Sequence, residues 1–302
     1  MAFAGLLKIV MMTAAVGAKG SGPALAITFD DGPDVAHRGA DAIAESDAIL
    51  AALAAAKVKS VLFVAGKRVD SPEGLAAVAA WGKAGHLVAN HSYSHGNLSA
   101  AATTVADFEA DVLRNEELLR KLPGFSRVFR YPFLKEGETA EKRDEFRAYL
   151  RKRGYRQGRA TIDASDWYYD ERFRAWRAAH PQGDPTPFRD AYLAHLWGRA
   201  QYYEALAKTT VGRSIKHTLI LHTNAVNAAF LPDVIRMFRE RGWQVIDAAS
   251  AFRDPIFDAD PKVLPAGESL IWALAKAKGV PDLRYPGEGS AYEKPILDDA
   301  GL

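Results

Sequence analysis

Cysteine is absent from the 302 residues. Disulfides, thiolate metal ligands and cysteine nucleophiles are thereby excluded, while the compartment stays open, because an exported chain of this size needs no disulfide. Charge of one sign is also lacking: 39 Lys and Arg stand against 37 Asp and Glu, a formal +2. Nucleic acid and anionic membrane surfaces are poor partners for such a chain, since they require a concentrated basic face. The one basic stretch, Arg147, Arg151, Lys152, Arg153, Arg156 and Arg159, reads as the solvated face and end of a helix. Long apolar runs are missing too, and nothing approaches the roughly eighteen residues of a membrane span. A shorter apolar run, 9–16, follows Lys8 and leads into Val16-Gly17-Ala18. Residues 1–18 therefore read as a candidate signal peptide and point to a periplasmic or secreted protein. The alternative is a buried N-terminal segment of a cytoplasmic one.

What is present is ordinary in bulk and specific in pattern. Apolar residues make up 48% and charged residues 25% of the chain, enough for a sizeable core. Short β-rich runs are expected at 24–31, 59–65, 87–91, 127–131, 155–162, 218–222 and 243–247. Helical periodicity falls between them at 42–56, 73–84, 106–121, 139–153 and 231–241. Strict alternation implies a parallel α/β sheet, doubly wound or closed into a barrel. Polar candidates end at least five different strands, and a ring of parallel strands is what brings so many ends to one mouth.

Two regions break the rhythm. The segment 168–217 is rich in aromatics and carries an expected helix at 188–208; it is either extra packing on the barrel or an aromatic wall beside the site. After Phe252 the chain becomes rich in proline and glycine, with one expected helix at 269–278. The expected organisation is thus a barrel over 19–253 with an insertion at 168–217, and an extension over 254–302 packed on the outside.

The chemistry sits in an ordered set: Thr28-Phe29-Asp30-Asp31-Gly32-Pro33, His91-Ser92-Tyr93-Ser94-His95, Arg130-Tyr131-Pro132-Phe133, Asp163-Ala164-Ser165-Asp166-Trp167 and Leu219-Ile220-Leu221-His222. Each fragment alone is weak. Paired aspartates at a strand end are commonly a turn or cap, and the histidine pair lacks the glutamate that would make it a zincin helix. Two carboxylates meeting two imidazoles, however, is a minimal kit for holding a metal and activating water.

Taken in order, the set resembles the five motifs of the NodB-type polysaccharide deacetylases, carbohydrate esterase family 4. The resemblance implies a distorted (β/α)7 barrel, one divalent metal, usually Zn2+ with Co2+, Ni2+ or Mn2+ as alternatives, and removal of acetyl groups from a carbohydrate polymer. It implies Asp31, His91 and His95 as metal ligands and Asp30 as the base. Adjacent side chains on an extended strand diverge, which would leave Asp30 free of the metal. Arg130 would hold Asp30, and His222 would act as general acid, its ring held by Asp166, with Asp163 as the second choice. Trp167 and Ile220 would line the acetyl pocket, and the Phe133 backbone N–H would face the oxyanion. The expected partner is an acetylated carbohydrate. N-acetyl hydrolysis leads, with O-acetyl esterase, small-molecule amidohydrolase and non-catalytic carbohydrate-binding barrel as alternatives. The chain departs from the pattern with Phe at 133, where many relatives have Tyr, with Thr223-Asn224-Ala225 after the last histidine, and with the long segment after Trp167.

Overall fold

The computed structural model describes residues 22–284, 287 and 289–302; the candidate signal peptide lies outside them. In chain order the elements are β1 (Ala24–Asp30), α1 (Val35–Ala56), β2 (Val61–Val64), α2 (Pro72–Lys83), β3 (Leu87–Asn90), α3 (Val105–Leu119) and β4 (Phe125–Phe129). Then come β5 (Lys135–Gly137), α4 (Ala140–Lys152), β6 (Arg156–Gln157), α5 (Asp166–Ala179), α6 (Thr186–Val211) and β7 (Lys216–His222). The chain finishes with α7 (Ala225–Glu240), β8 (Gln244–Val245), α8 (Ala248–Ala251), β9 (Ala266–Gly267), α9 (Leu270–Ala277) and α10 (Ser290–Asp299).

The main sheet is parallel throughout, in the order β6-β4-β3-β2-β1-β7, with β8 also pairing β1. β1 is buried on both faces along nearly its whole length, which is why Ala24-Leu25-Ala26-Ile27-Thr28-Phe29 reads as continuously apolar rather than alternating. The segment expected as one strand at 155–162 divides instead. Arg156 and Gln157 pair with β4, and Ile162 bridges to Leu219 of β7, its N–H reaching Thr218 O at 2.9 Å. This short crossing closes the gap between the sheet's two ends and yields the distorted barrel. Gly158 makes the crossing possible, since a Cβ there would lie 2.4 Å from Phe63 Cζ.

Caps set several helix starts. Ser71, Thr104, Thr139 and Asn224 each accept from the backbone N–H three residues on, and the Asn224 cap starts α7 at Ala225 rather than at the expected 231. The expected helix at 188–208 is the longer α6, and no expected helix corresponds to α5, α8 or α10. Tyr168, Tyr169, Phe173, Phe188, Tyr192 and Tyr203 are buried in the main core, so most aromatics of the segment after Trp167 pack rather than line a cleft.

The basic stretch also differs from expectation. Arg147 and Arg159 are buried: Arg147 Nε donates to Glu136 Oε2 at 2.8 Å, and Arg159 Nε to Glu136 Oε1 at 3.2 Å. Asp260 sits 2.9 Å from both guanidinium groups. A cationic run can turn inward where acidic residues distant in sequence meet it, and charge pattern alone cannot show that.

Candidate active site

The strand ends converge on one cavity of about 830 Å³, lined by Asp30, Asp31, His91, His95, Phe133 and His222 among others. Trp167 and Ile220 are on its wall as well, while Arg130 and Asp166 stand behind it.

Asp30 ends β1 in register with His222 on β7. Arg130 Nη1 meets Asp30 Oδ1 at 2.5 Å and Thr28 Oγ1 at 2.9 Å, and its Nε donates to Gly158 O at 2.7 Å. The guanidinium also lies over the Phe63 ring at 4.1 Å. Burial raises the Asp30 pKa, and Arg130 offsets this only in part.

The divergence expected of Asp30 and Asp31 does not hold. Asp31 leaves the extended conformation with φ 73°, which swings its carboxylate back toward the site. Both Asp30 Oδ2 and Asp31 Oδ1 lie 3.7 Å from His91 Nε2. The two aspartates differ by partner rather than by direction: Asp30 faces Arg130, whereas Asp31 Oδ1 is 3.1 Å from His95 Nε2, and Oδ2 is 2.9 Å from Arg68 Nη2. Burial would raise the Asp31 pKa, but His95, His222 and Arg68 hold it well below the usual carboxylate range.

Asp31, His91 and His95 place one donor atom each within 4.8 Å of one another. Their chemistry fits a cation. Asp31 Oδ1 is buried with only the His95 ring at 3.1 Å beside it, so a lone pair remains for a cation. His91 Nδ1 lies 2.8 Å from Arg130 O; a carbonyl only accepts, so Nδ1 carries the proton and the neutral ring turns an Nε2 lone pair to the site. Burial and the neighbouring His95 keep His91 neutral. The loop between the histidines is strained, with Ser92 at φ 63° and His95 at φ 60°. Asp111 of α3 holds it by accepting from the Tyr93 and Ser94 backbone N–H groups, each at 3.1 Å.

Of the two aspartates in the fourth motif, Asp166 holds His222. Oδ1 is 2.7 Å from Nδ1 and Oδ2 accepts the His222 backbone N–H at 2.7 Å. Asn224 and Asn227 add donors to Oδ2 at 3.1 and 2.7 Å, and Tyr192 of α6 orients Asn227 at 2.7 Å. Burial pulls the His222 pKa down, but Asp166, with Asp31 and Asp30, more than offsets it and pushes it up to about 10. Asp163 lies on the cavity wall and adds favourable charge beside Arg130. Phe133 (φ 56°, 57% exposed) packs edge-on against His95 with centroids 4.5 Å apart. Trp167 is 45% exposed, and Ile220 is buried with its edge on the cavity.

Sequence reasoning missed Arg68, Asp111, Asn224 and Asn227 as partners of the motif residues. Arg68 follows the end of β2, so the logic that singles out polar residues beyond strand ends would have found it. Asp111 is mid-helix and carries no such signal.

The sequence profile described as Polysaccharide deacetylase matches residues 17–158. A peptidoglycan-N-acetylglucosamine deacetylase of Bacillus cereus is 31% identical over 109 residues, 36% of this chain and 35% of the relative, so the chain spans about a third of that protein's length. A family 4 carbohydrate esterase from Streptomyces lividans, solved with acetate, superposes over 76% of this chain and 95% of its own with TM-score 0.50 and 19% identity. A family 4 pseudoenzyme from Bacillus anthracis superposes over 76% of this chain and 65% of its own with TM-score 0.53 and 16% identity. At these identities the solved structures establish the fold alone. The profile match, a little under half of the chain, and the barrel agree: residues 17–158 are similar in sequence to polysaccharide deacetylases, and the fold is that of the family 4 carbohydrate esterases.

Proposed function

We propose that the cavity hydrolyses N-acetyl groups on an amino-sugar polymer or oligosaccharide. The observation that carries the reading is the convergence of three unlike devices on one cavity: an Asp/His/His donor cluster, a buried aspartate held by an arginine, and a histidine held by an aspartate. Asp31, His91 and His95 would hold Zn2+ or another divalent cation, which when bound supplies Lewis acidity and lowers the pKa of water to about 7.

The chain's own groups do the rest. Asp30, whose raised pKa suits a proton acceptor, takes the proton of the attacking water. Arg130 fixes the Asp30 carboxylate and leaves Oδ2 toward the site. His222 gives its proton to the departing nitrogen, an amide leaving group that cannot depart as an anion. Trp167 and Ile220 supply apolar surface for the acetyl methyl, and the Phe133 backbone N–H faces the carbonyl oxygen as negative charge builds there. The same proposal places the protein outside the cytoplasm, supported by the pattern of residues 1–18.

Acetate release from chitooligosaccharides, peptidoglycan, acetylated xylan and simple acetamides by the zinc-loaded protein tests the reading. Turnover of acetamido sugars above the other classes is expected. Preference for acetylated xylan would make it an ester hydrolase, and preference for simple acetamides a small-molecule amidohydrolase. No turnover of any substrate by a metal-loaded, folded protein would overturn catalysis and favour a binding barrel.

A further inference from the structure

Three arginines on the cavity wall belong to none of the motifs. Arg38 comes from the first turn of α1, just ahead of the kink at Gly39 (φ 51°, ψ −126°). Arg68 follows β2, and Arg174 is on α5. Along α5, Asp166, Asp170 and Arg174 recur every four residues, which places them on one helix face. The face that braces His222 therefore continues along the cavity.

One carboxylate links two of the arginines. Glu45 accepts from Arg38 Nη2 and from Arg174 Nη2, the latter at 2.9 Å. Arg174 Nε also donates to Asp170 Oδ2 at 2.6 Å, and Asp170 Oδ1 accepts the Val226 N–H at 3.0 Å. α1 and α5 are thus strapped together at this part of the wall.

The strap keeps hydrogen-bonding capacity for a ligand. Each guanidinium has more N–H groups than these bonds use, and each carboxylate oxygen has a second lone pair. Donors and acceptors therefore alternate on a surface whose three arginines are matched by Asp34, Glu45 and Asp170. A bare anion would meet carboxylates as well as guanidinium groups. A sugar hydroxyl, which donates and accepts at once, suits both. Trp167, on the same helix and 45% exposed, offers an aromatic face for the apolar side of a pyranose. The cavity of about 830 Å³ falls in the ~300–1,000 Å³ range of sites that enclose a whole small molecule, far more than an acetyl group fills.

We infer that Arg38 and Arg174, fixed by Glu45 and Asp170, form a second sugar subsite that binds hydroxyls of a neutral sugar unit next to the one being deacetylated. The inference rests on the deacetylase reading above and narrows the substrate to an oligosaccharide rather than a free acetamido sugar.

The test compares wild type with Arg38→Gln and Arg174→Gln in the zinc-loaded protein, measuring acetate release from N-acetylglucosamine and from its β-1,4 oligomers up to the tetramer. Wild-type kcat/KM should rise about tenfold or more from monomer to oligomer. Each variant should lose about tenfold on oligomers, chiefly through KM, and several-fold less on the monomer. An equal loss at every length would mean that the arginines only support the fold, and no loss at any length would mean that the subsite does not exist; either overturns the inference. Arg38→Gln separates these effects cleanly, because it leaves α5 and its Asp166 untouched. Should the wild type release no acetate from any substrate, the deacetylase reading falls, and calorimetric binding of the tetramer still decides the subsite. Weaker binding by Arg38→Gln supports it, and equal or absent binding ends it.

Discussion

His222 and Asp166 are joined twice, once from the imidazole Nδ1 at 2.7 Å and once from the backbone N–H at 2.7 Å, so the carboxylate fixes both the ring and the strand end that carries it. Asp166 is fully buried, with Asn224 and Asn227 as its further donors. Asp166→Asn keeps the shape and removes the charge. In metal-free protein the His222 titration midpoint, followed by NMR, should fall from its raised position near 10 toward or below ~6.5. Because His222 would then hold its proton less firmly, kcat on acetamides should drop about a hundredfold. Activated esters, whose leaving groups need little protonation, should lose less. An unmoved midpoint would show that Asp166 does not set the charge on His222.

Replacing His91 or His95 with Ala should remove most bound zinc while leaving the fold in place, because the barrel core is apolar and separate from the site. Elemental analysis checks the metal and circular dichroism the fold. His91→Ala should be the more damaging to stability of the two, since His91 is buried and bonded to Arg130 O whereas His95 is partly exposed. Full zinc occupancy in both variants would remove the histidines from the ligand set.

Asp30 and Arg130 should separate chemistry from stability. Asp30→Asn deletes the proton acceptor and should lower kcat a hundredfold or more with metal retained. Arg130→Met removes the cation that partly offsets the burial of Asp30, so the Asp30 pKa should climb further and the rate should rise only at higher pH. Breaking this buried pair should also destabilise the protein by about 3 kcal/mol or more, measurable by urea unfolding. A rate profile that keeps its wild-type acid limb would rule out Asp30 as the titrating base.

Much of this arrangement is legible in the sequence because strand ends announce themselves. Asp30, His91 and His222 each follow an apolar β run, and parallel strands deliver such ends to one side. The resemblance puts Asp166 ahead of Asp163, and the structure gives Asp166 the bond to His222. Other features depend on long-range pairing that no local pattern records. The left-handed turn at Asp31 brings together side chains that an extended strand would separate. Arg147 and Arg159 look like a solvated face until Glu136 and Asp260 are brought to them. The strand expected at 155–162 splits because Gly158 lets the chain leave β4 against Phe63 and reach β7.

The Glu136 cluster makes its own prediction. Burial would raise the Glu136 pKa, but Arg159 and Arg147 hold it below the usual range. Glu136→Gln leaves two buried guanidinium groups with Asp260 as their one carboxylate beside neutral carbonyl acceptors, and should cost about 3 kcal/mol or more in urea unfolding. Arg151→Gln, at an exposed position 3.6 Å from Asp260, should cost well under 1 kcal/mol. Equal effects would mean that the cluster behaves like surface charge.

Acid stability should depend on carboxylates far from the cavity. Burial would raise the Asp254 pKa, but Arg213 and the Ile256 and Lys216 backbone N–H groups push it down to about 2. Burial opposes the Glu204 shift as well, and His217, Ser214 and Lys208 push it down to about 2. Both folded values lie below the ordinary values of ~3.9 and ~4.3. Their stabilisation is therefore complete above about pH 5 and is lost as pH falls toward about 2, where the folded groups finally take up protons. Asp254→Asn should lower the melting temperature near pH 7 and make it less sensitive to acid over that window, because the variant has already lost the contribution that wild type sheds. Scanning calorimetry from about pH 7 to about pH 3 distinguishes the two curves. Parallel melting curves across the whole range would show that Asp254 contributes nothing to acid sensitivity and that the loss arises elsewhere.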